Sequence, residues 1–180
     1  MTPGPTLRTE RLILRPPRIE DFARWAAMMA HPSSRFMGGP MSEAEAWRGL
    51  CATVGSWALT GEAMFSVLEA ETGLWVGRAG PLNPVGWPAP EVGWGLHHDA
   101  RGRGYATEAA AAAMDYAVDV LGWTDVIHVI DPANLPSQGV ARRLGSTLRG
   151  PVALPPPWSD SRVEAWGQTA AQWRARRGRR

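Results

Sequence analysis

The chain has 180 residues, 44% of them hydrophobic and 20% charged, with one cysteine and a formal net charge of +2. These totals suit one domain with a sizeable core, exclude an internal disulfide and lie far from the compositions of disordered or collagen-like chains. Five arginines in the closing RARRGRR (Arg174, Arg176, Arg177, Arg179, Arg180) supply the excess, and removing them turns +2 into −3 for the rest.

The opening residues show no apolar leader core, and no apolar run reaches the ~18 residues of a membrane span. A cytoplasmic protein without membrane contact is expected. Leu7–Arg15, with Leu12 and Leu14 alternating against charges, reads as a strand stopped by Pro16-Pro17. IEDFARWAAMMA, from Ile19, reads as a helix with Glu20 and Asp21 in its first turn. Ser42 and Glu45 have the spacing of a capping box and open a second helix, in which Cys51 reads as a small buried apolar residue. Met64–Glu69 and Leu74–Leu82 flank a Glu71-Thr72-Gly73 turn and form a hairpin.

A Pro/Gly-rich loop leads to a strand over Glu91–His97, and an alanine-rich helix follows from Tyr105 to Leu121, stopped by Gly122. DVIHVID is a β-branched strand. A turn and short helix then end at Gly145, followed by strands at Thr147–Val152 and within RVEAWGQT, and a last short helix. The order β-α-α-β-β-β-α-β-α-β-β-α predicts an α/β (α+β) domain over residues 1–173 with a mixed central sheet. Residues 174–180 are expected to form a basic, unstructured tail, with nucleic-acid binding not favoured.

The stretch HHDARGRGYATEA, from His97 to Ala109, joins a strand to that long helix. Gly102 and Gly104 permit a tight turn and close approach of a ligand to the backbone. The first amides of the helix lack intrahelical acceptors and sit at its positive dipole end, which suits an anion, with Arg101 and Arg103 beside them. No Gly-Lys-Ser/Thr follows, and Thr107 stands where a dinucleotide-binding turn has its third glycine. On spacing alone, an anion site and a plain strand-to-helix turn remain equal readings.

Arg101, Gly104 and Ala106, in the pattern Arg-x-x-Gly-x-Ala, resemble the acyl-CoA pyrophosphate signature of the GNAT N-acetyltransferase superfamily. GRGYATEA looks like its subgroup of ribosomal-protein N-terminal acetyltransferases. Asn134, Ser137, Leu144 and Gly145 resemble a second block of that subgroup, and LRTERLILRP and EAWGQTAAQW resemble its first and last elements. Ser146 departs from the family's aromatic residue, and the glycine-rich second helix departs in the region that shapes the acceptor pocket.

The resemblance implies a GNAT fold with a splayed parallel strand pair and acetyl-CoA as co-substrate, without a metal. Gly102, Arg103, Gly104, Tyr105, Ala106 and Thr107, with Arg101, would hold the pyrophosphate. Leu96, His97 and His98 would pair with the pantetheine, and Asn134 and Ser137 would touch CoA. Asp99 and Glu91 are the candidate bases and Ser137 the candidate acid. Trp47, Trp57, Trp87 and Trp94 are candidates for an apolar acceptor wall. His97 and His98, on opposite faces of a strand, do not make a metal site. The acceptor would be a primary amine, on a protein N-terminus or a small molecule, and relatives are often homodimers. The alternative is a non-catalytic module of the same fold that holds acyl-CoA as a sensor or interaction protein.

Overall fold

In the computed structural model, which describes residues 4–178, the chain runs β1 (Leu7–Arg8), β2 (Leu12–Arg15), α1 (Phe22–Ala30), α2 (Glu43–Thr60), β3 (Phe65–Glu69), β4 (Trp75–Leu82), β5 (Glu91–Leu96), α3 (Tyr105–Asp115), β6 (Asp125–Ile130), α4 (Leu135–Leu144), β7 (Thr147–Val152), β8 (Val163–Thr169) and α5 (Ala170–Arg177). The strands form one mixed sheet in the order β1-β2-β3-β4-β5-β6-β8-β7. This is the expected α/β architecture, with one parallel pair, β5 and β6, at its centre.

Local chemistry sets the boundaries. The Ser42 hydroxyl accepts from Glu45 N–H, and the Glu45 carboxylate accepts from Ser42 N–H at 2.8 Å, which closes the capping box of α2. Thr169 and Gln172 repeat the device at α5. The strand expected over Leu7–Arg15 is instead two short strands folded back on each other, with Leu7 opposite Leu14. Thr9 turns the chain: its N–H donates to the Leu12 carbonyl, and its hydroxyl donates to Glu108 at 2.6 Å. The long helix keeps its α form to Asp115 and closes through a wider π-turn over Tyr116–Val120.

Residues 174–177 are not an unstructured tail. They continue α5, where Arg177 pairs with Asp115 at 2.6 Å and Arg174 with Asp119 at 3.2 Å, both from the α3 region. Arg179 and Arg180 lie outside the described residues. Cys51 is exposed rather than buried, because Ala46, Leu50 and Trp57 are the residues of α2 that face the core.

Cores lie on both faces of the sheet. On one face, the small side chains of α3 (Ala109, Ala110, Ala113) allow close packing on Leu12, Leu14, Val67, Val92 and Val126. On the other, Trp25, Met28 and Met29 of α1 pack with Ala46, Leu50 and Trp75. Each fully buried Leu, Met or Val contributes roughly 1.5–3 kcal/mol.

Candidate active site

β5 and β6 pair at a single register position, Glu91 opposite Ile127, and then diverge. β6 meanwhile stays paired with β8 from Asp125 to Ile130. Two side chains stand where ladder hydrogen bonds would continue. Glu91 Oε1 accepts from Val129 N–H at 3.1 Å, and its Oε2 accepts from Trp87 Nε1 at 2.7 Å. From the facing strand, His128 Nδ1 lies 2.7 Å from the Val92 carbonyl. A carbonyl only accepts, so Nδ1 carries the proton, and Nε2 accepts from the Ser146 hydroxyl at 2.9 Å. Ser146 also accepts from Gln168. The small Ser146 thus closes a polar network with His128 and Gln168.

Burial tunes both wedge residues. Desolvation pushes the Glu91 carboxyl up to about 7, against the opposing hydrogen bonds from Val129 and Trp87. Desolvation pushes the His128 imidazole down to about 4, against its bond to Val92. His128 is therefore a neutral structural residue near pH 7, whereas Glu91 is poised between its two protonation states.

Pro90 gives its carbonyl to Ile127 and Val92 gives its own to His128, while His97 N–H turns the other way, to Val76. Main-chain groups of even-numbered residues on β5 therefore face the fork. Those of Trp94 and the N–H of Leu96 point into the opening.

A cleft of about 1460 Å³ runs through this fork. At one end it meets Arg101, Gly102, Gly104, Ala106 and Thr107, and across from them Asn134, Ser137 and Arg143 of the α4 region. Gly104 starts α3 with φ +83°, and no side chain caps the helix. A Cβ on Gly102 would meet nothing within 4 Å. The turn is therefore open to a ligand, with a positive helix end and Arg101 and Arg143 in the lining around it, which fits a pyrophosphate. Arg143 Nε donates to the Thr107 hydroxyl at 3.0 Å and holds the two walls together.

The other half of the cleft lies between the sheet and the α1–α2 side. Trp25, Met29, Phe36, Met37, Met64 and Trp87 line it. Gly93 and Gly95 form its floor, where added side chains would collide with Met64 and Met37.

Most of the residues singled out from the sequence meet at this cleft: Glu91, Leu96, Arg101, Gly102, Gly104, Ala106, Thr107, Asn134 and Ser137 all line it. Others do not. Asp99 is held by Arg24 through two 2.9 Å contacts and by His97 Nδ1 at 2.8 Å. Although partial desolvation opposes it, these partners hold the Asp99 carboxyl below its usual value, the wrong direction for a base, and it is outside the lining. His97 gives its N–H to Val76, and His98 stacks on His31 at 4.2 Å. Arg103 and Tyr105 both turn to Glu69 at 3.0 Å. Of the tryptophans, Trp57 is core packing against Phe65, and Trp47 packs on Phe22 at the surface. Trp87 and Trp94 line the cleft, joined by Trp25 and Trp158. Arg78 and Arg143 also line it and were not singled out as ligand contacts; a single arginine in a strand or helix carries no local signal.

Among the described residues, no group of three or more His, Cys, Asp or Glu side chains is arranged to hold a metal ion, and no helix is long and apolar enough to cross a membrane.

Residues 11–147 match the family model described as an acetyltransferase (GNAT) domain. An uncharacterized N-acetyltransferase, p20, from Bacillus licheniformis is 28% identical over 137 residues, covering 73% of this chain and 76% of that protein. The crystal structure of an acetyltransferase from Agrobacterium tumefaciens superposes with a TM-score of 0.81 at 35% identity, over 91% of this chain and 94% of that one. A ribosomal-protein-S5-alanine acetyltransferase from Vibrio fischeri shares the fold, with a TM-score of 0.70 at 17% identity over 94% and 98% of the two chains. The splayed strand pair, the uncapped glycine turn beside it and the family match over most of the chain converge: this protein belongs to the GNAT acetyltransferase family.

Proposed function

We propose that the protein is an acetyl-CoA-dependent N-acetyltransferase that moves the acetyl group to a primary amine by direct attack in a ternary complex. The observation that carries this reading is the placement of Glu91, a buried carboxyl raised to about 7, on the same cleft as the open Gly102–Thr107 turn. Acetyl-CoA supplies an activated acetyl thioester when bound. The turn amides and Arg101 bind the pyrophosphate. The Trp94 and Leu96 main-chain groups at the fork pair with the extended arm of the cofactor and orient it.

An α-amine of pKa about 8 is only about 10% neutral at pH 7, so attack benefits from a group that takes its proton. Glu91 does this directly or through one water, with Trp87 and Val129 fixing both carboxylate oxygens. Ser137, at the start of α4 with its N–H bonded to Asn134 Oδ1 at 3.3 Å, is the donor toward the departing thiolate. The amine belongs to a small molecule or a protein N-terminus.

The reading is tested by thiol release from acetyl-CoA against an amine panel, for the wild type and Glu91→Gln. The expected result is turnover that falls about 100-fold or more in kcat in the variant, with acetyl-CoA affinity kept and the pH limb near 7 lost. Tight acetyl-CoA binding without release on any amine would favour the binding-module reading instead.

A further inference from the structure

Arg78 lies on β4 directly opposite Gly95, and Leu82 opposite Glu91. Alternation along the two strands puts Arg78 and Glu91 on the same face of the sheet, with Gly93 and Gly95 as bare floor between them. Four residue steps along β5 separate the two positions, roughly 13 Å of strand. The Arg78 guanidinium stacks over the Trp25 ring at 4.9 Å. Its Nε is buried and has no hydrogen-bond partner. Burial alone, with no carboxylate to offset it, pulls its pKa down to about 10.

Arg15 has a side chain 12% exposed and is clamped by Asp21 at 2.7 Å. Arg78 as a whole is half-buried, but its Nε is sealed from solvent, and a desolvated polar atom of a cation left without a partner is costly. Arg78 opens onto the acceptor half of the cleft. Arg35, stacked on Phe36 at 4.6 Å, adds a second positive group to that lining. The acids lining the cleft among the described residues are Glu91 and Asp131, and Asp131 sits beyond β6.

We infer that the acceptor is a primary amine that also carries an anionic oxygen group, carboxylate or phosphate, and that Arg78 binds this group while the amine sits toward Glu91. This rests on the acetyl-transfer reading of the same cleft. The guanidinium presents a planar fork that suits two oxygens at once, and the Trp25 face keeps it flat against the wall. With Arg174, Arg176 and Arg177 counted in α5, the described residues carry no net charge, +2 less Arg179 and Arg180, so the local charge of the cleft lining decides. A wholly cationic amine would meet Arg78 and Arg35, with the lining carboxyl Glu91 roughly 13 Å of strand away from Arg78.

The test pairs amines that differ only in the anion. Glycine, β-alanine and γ-aminobutyrate are compared with their amides, and phosphoethanolamine with ethanolamine. Binding to the CoA-saturated full-length protein is measured by calorimetry, and thiol release from acetyl-CoA is followed separately. The expected result is that at least one anionic member binds about tenfold or more tightly than its neutral partner. Preference within the carboxylate pairs or the phosphate pair identifies the source of the anion. Arg78→Met should erase the preference while leaving acetyl-CoA affinity, which also reports on folding, unchanged. Arg78→Lys should keep part of it. Equal binding within every pair, binding by no anionic amine, or a preference that survives in Arg78→Met would overturn the inference. Preferred binding without thiol release would sink the acetyl-transfer reading and leave the anion site standing. Release from neutral or cationic amines without preference would do the reverse.

Discussion

Replacing Glu91 by glutamine should change how stability depends on pH, and the size follows from its site. Below about pH 4.5 the carboxyl is neutral in the folded and unfolded chain alike. Between 4.5 and about 7 the unfolded chain gives up this proton while the buried group keeps it. Stability is therefore full at the acid end, is lost as pH rises through the folded value, and levels off above it. Two and a half pH units at 1.36 kcal/mol each amount to about 3 kcal/mol. Glutamine has no such proton. Its own packing and hydrogen-bond cost, with one of the Trp87 and Val129 contacts mismatched, is the same at every pH. Urea unfolding at pH 4.5 and pH 8 isolates the pH-dependent part: the variant should gain about 3 kcal/mol relative to wild type between the two. A difference that stays constant across that range would mean that Glu91 is hydrated, and the argument for a poised base would fail.

His128 should remain in its neutral Nδ1–H form from pH 8 to pH 5 when followed by imidazole NMR; titration near 6.5 would contradict the closed Val92–His128–Ser146 network. Because its folded pKa is depressed to about 4, stability should fall as pH drops from 6.5 toward 4, and His128→Gln should lose that acid sensitivity. Gly95→Val would fill the cleft floor beneath Met37. It should raise the acceptor KM about tenfold or more while leaving the acetyl-CoA Kd within about twofold, by an estimate that one branched side chain removes a few contacts. Equal losses for both substrates would show that the floor is shared.

Signals confined to a few neighbouring residues were legible in the sequence. The Ser42–Glu45 box starts α2 where expected, Gly145 closes α4 with φ +91°, and the β-branched DVIHVI run is β6. The Gly102–Gly104 turn was equally visible, because two glycines with positive φ shape it locally. What distant parts of the chain decide was not. Asp99 reads as a free acid until Arg24, 75 positions away, is placed on it. Arg174 and Arg177 read as a loose tail until the α3 region brings up Asp119 and Asp115. Trp57 and Trp87 look alike as aromatic residues near a pocket, and only packing sends one to the core and the other to Glu91. Arg78 is the clearest case. Nothing local in WVGRAGPL reveals that α1 covers this charge with Trp25.

The most direct test of the account is a calorimetric titration with acetyl-CoA, with ATP and NAD as controls, on wild type and Gly104→Glu. At φ +83°, Gly104 occupies backbone space that other residues rarely adopt, and a glutamate there would also set a negative charge against the pyrophosphate. The account predicts micromolar acetyl-CoA binding to wild type, little response to ATP or NAD, and loss of binding in the variant with the fold retained by circular dichroism. Absence of acetyl-CoA binding to wild type, or undiminished binding to Gly104→Glu, would contradict it.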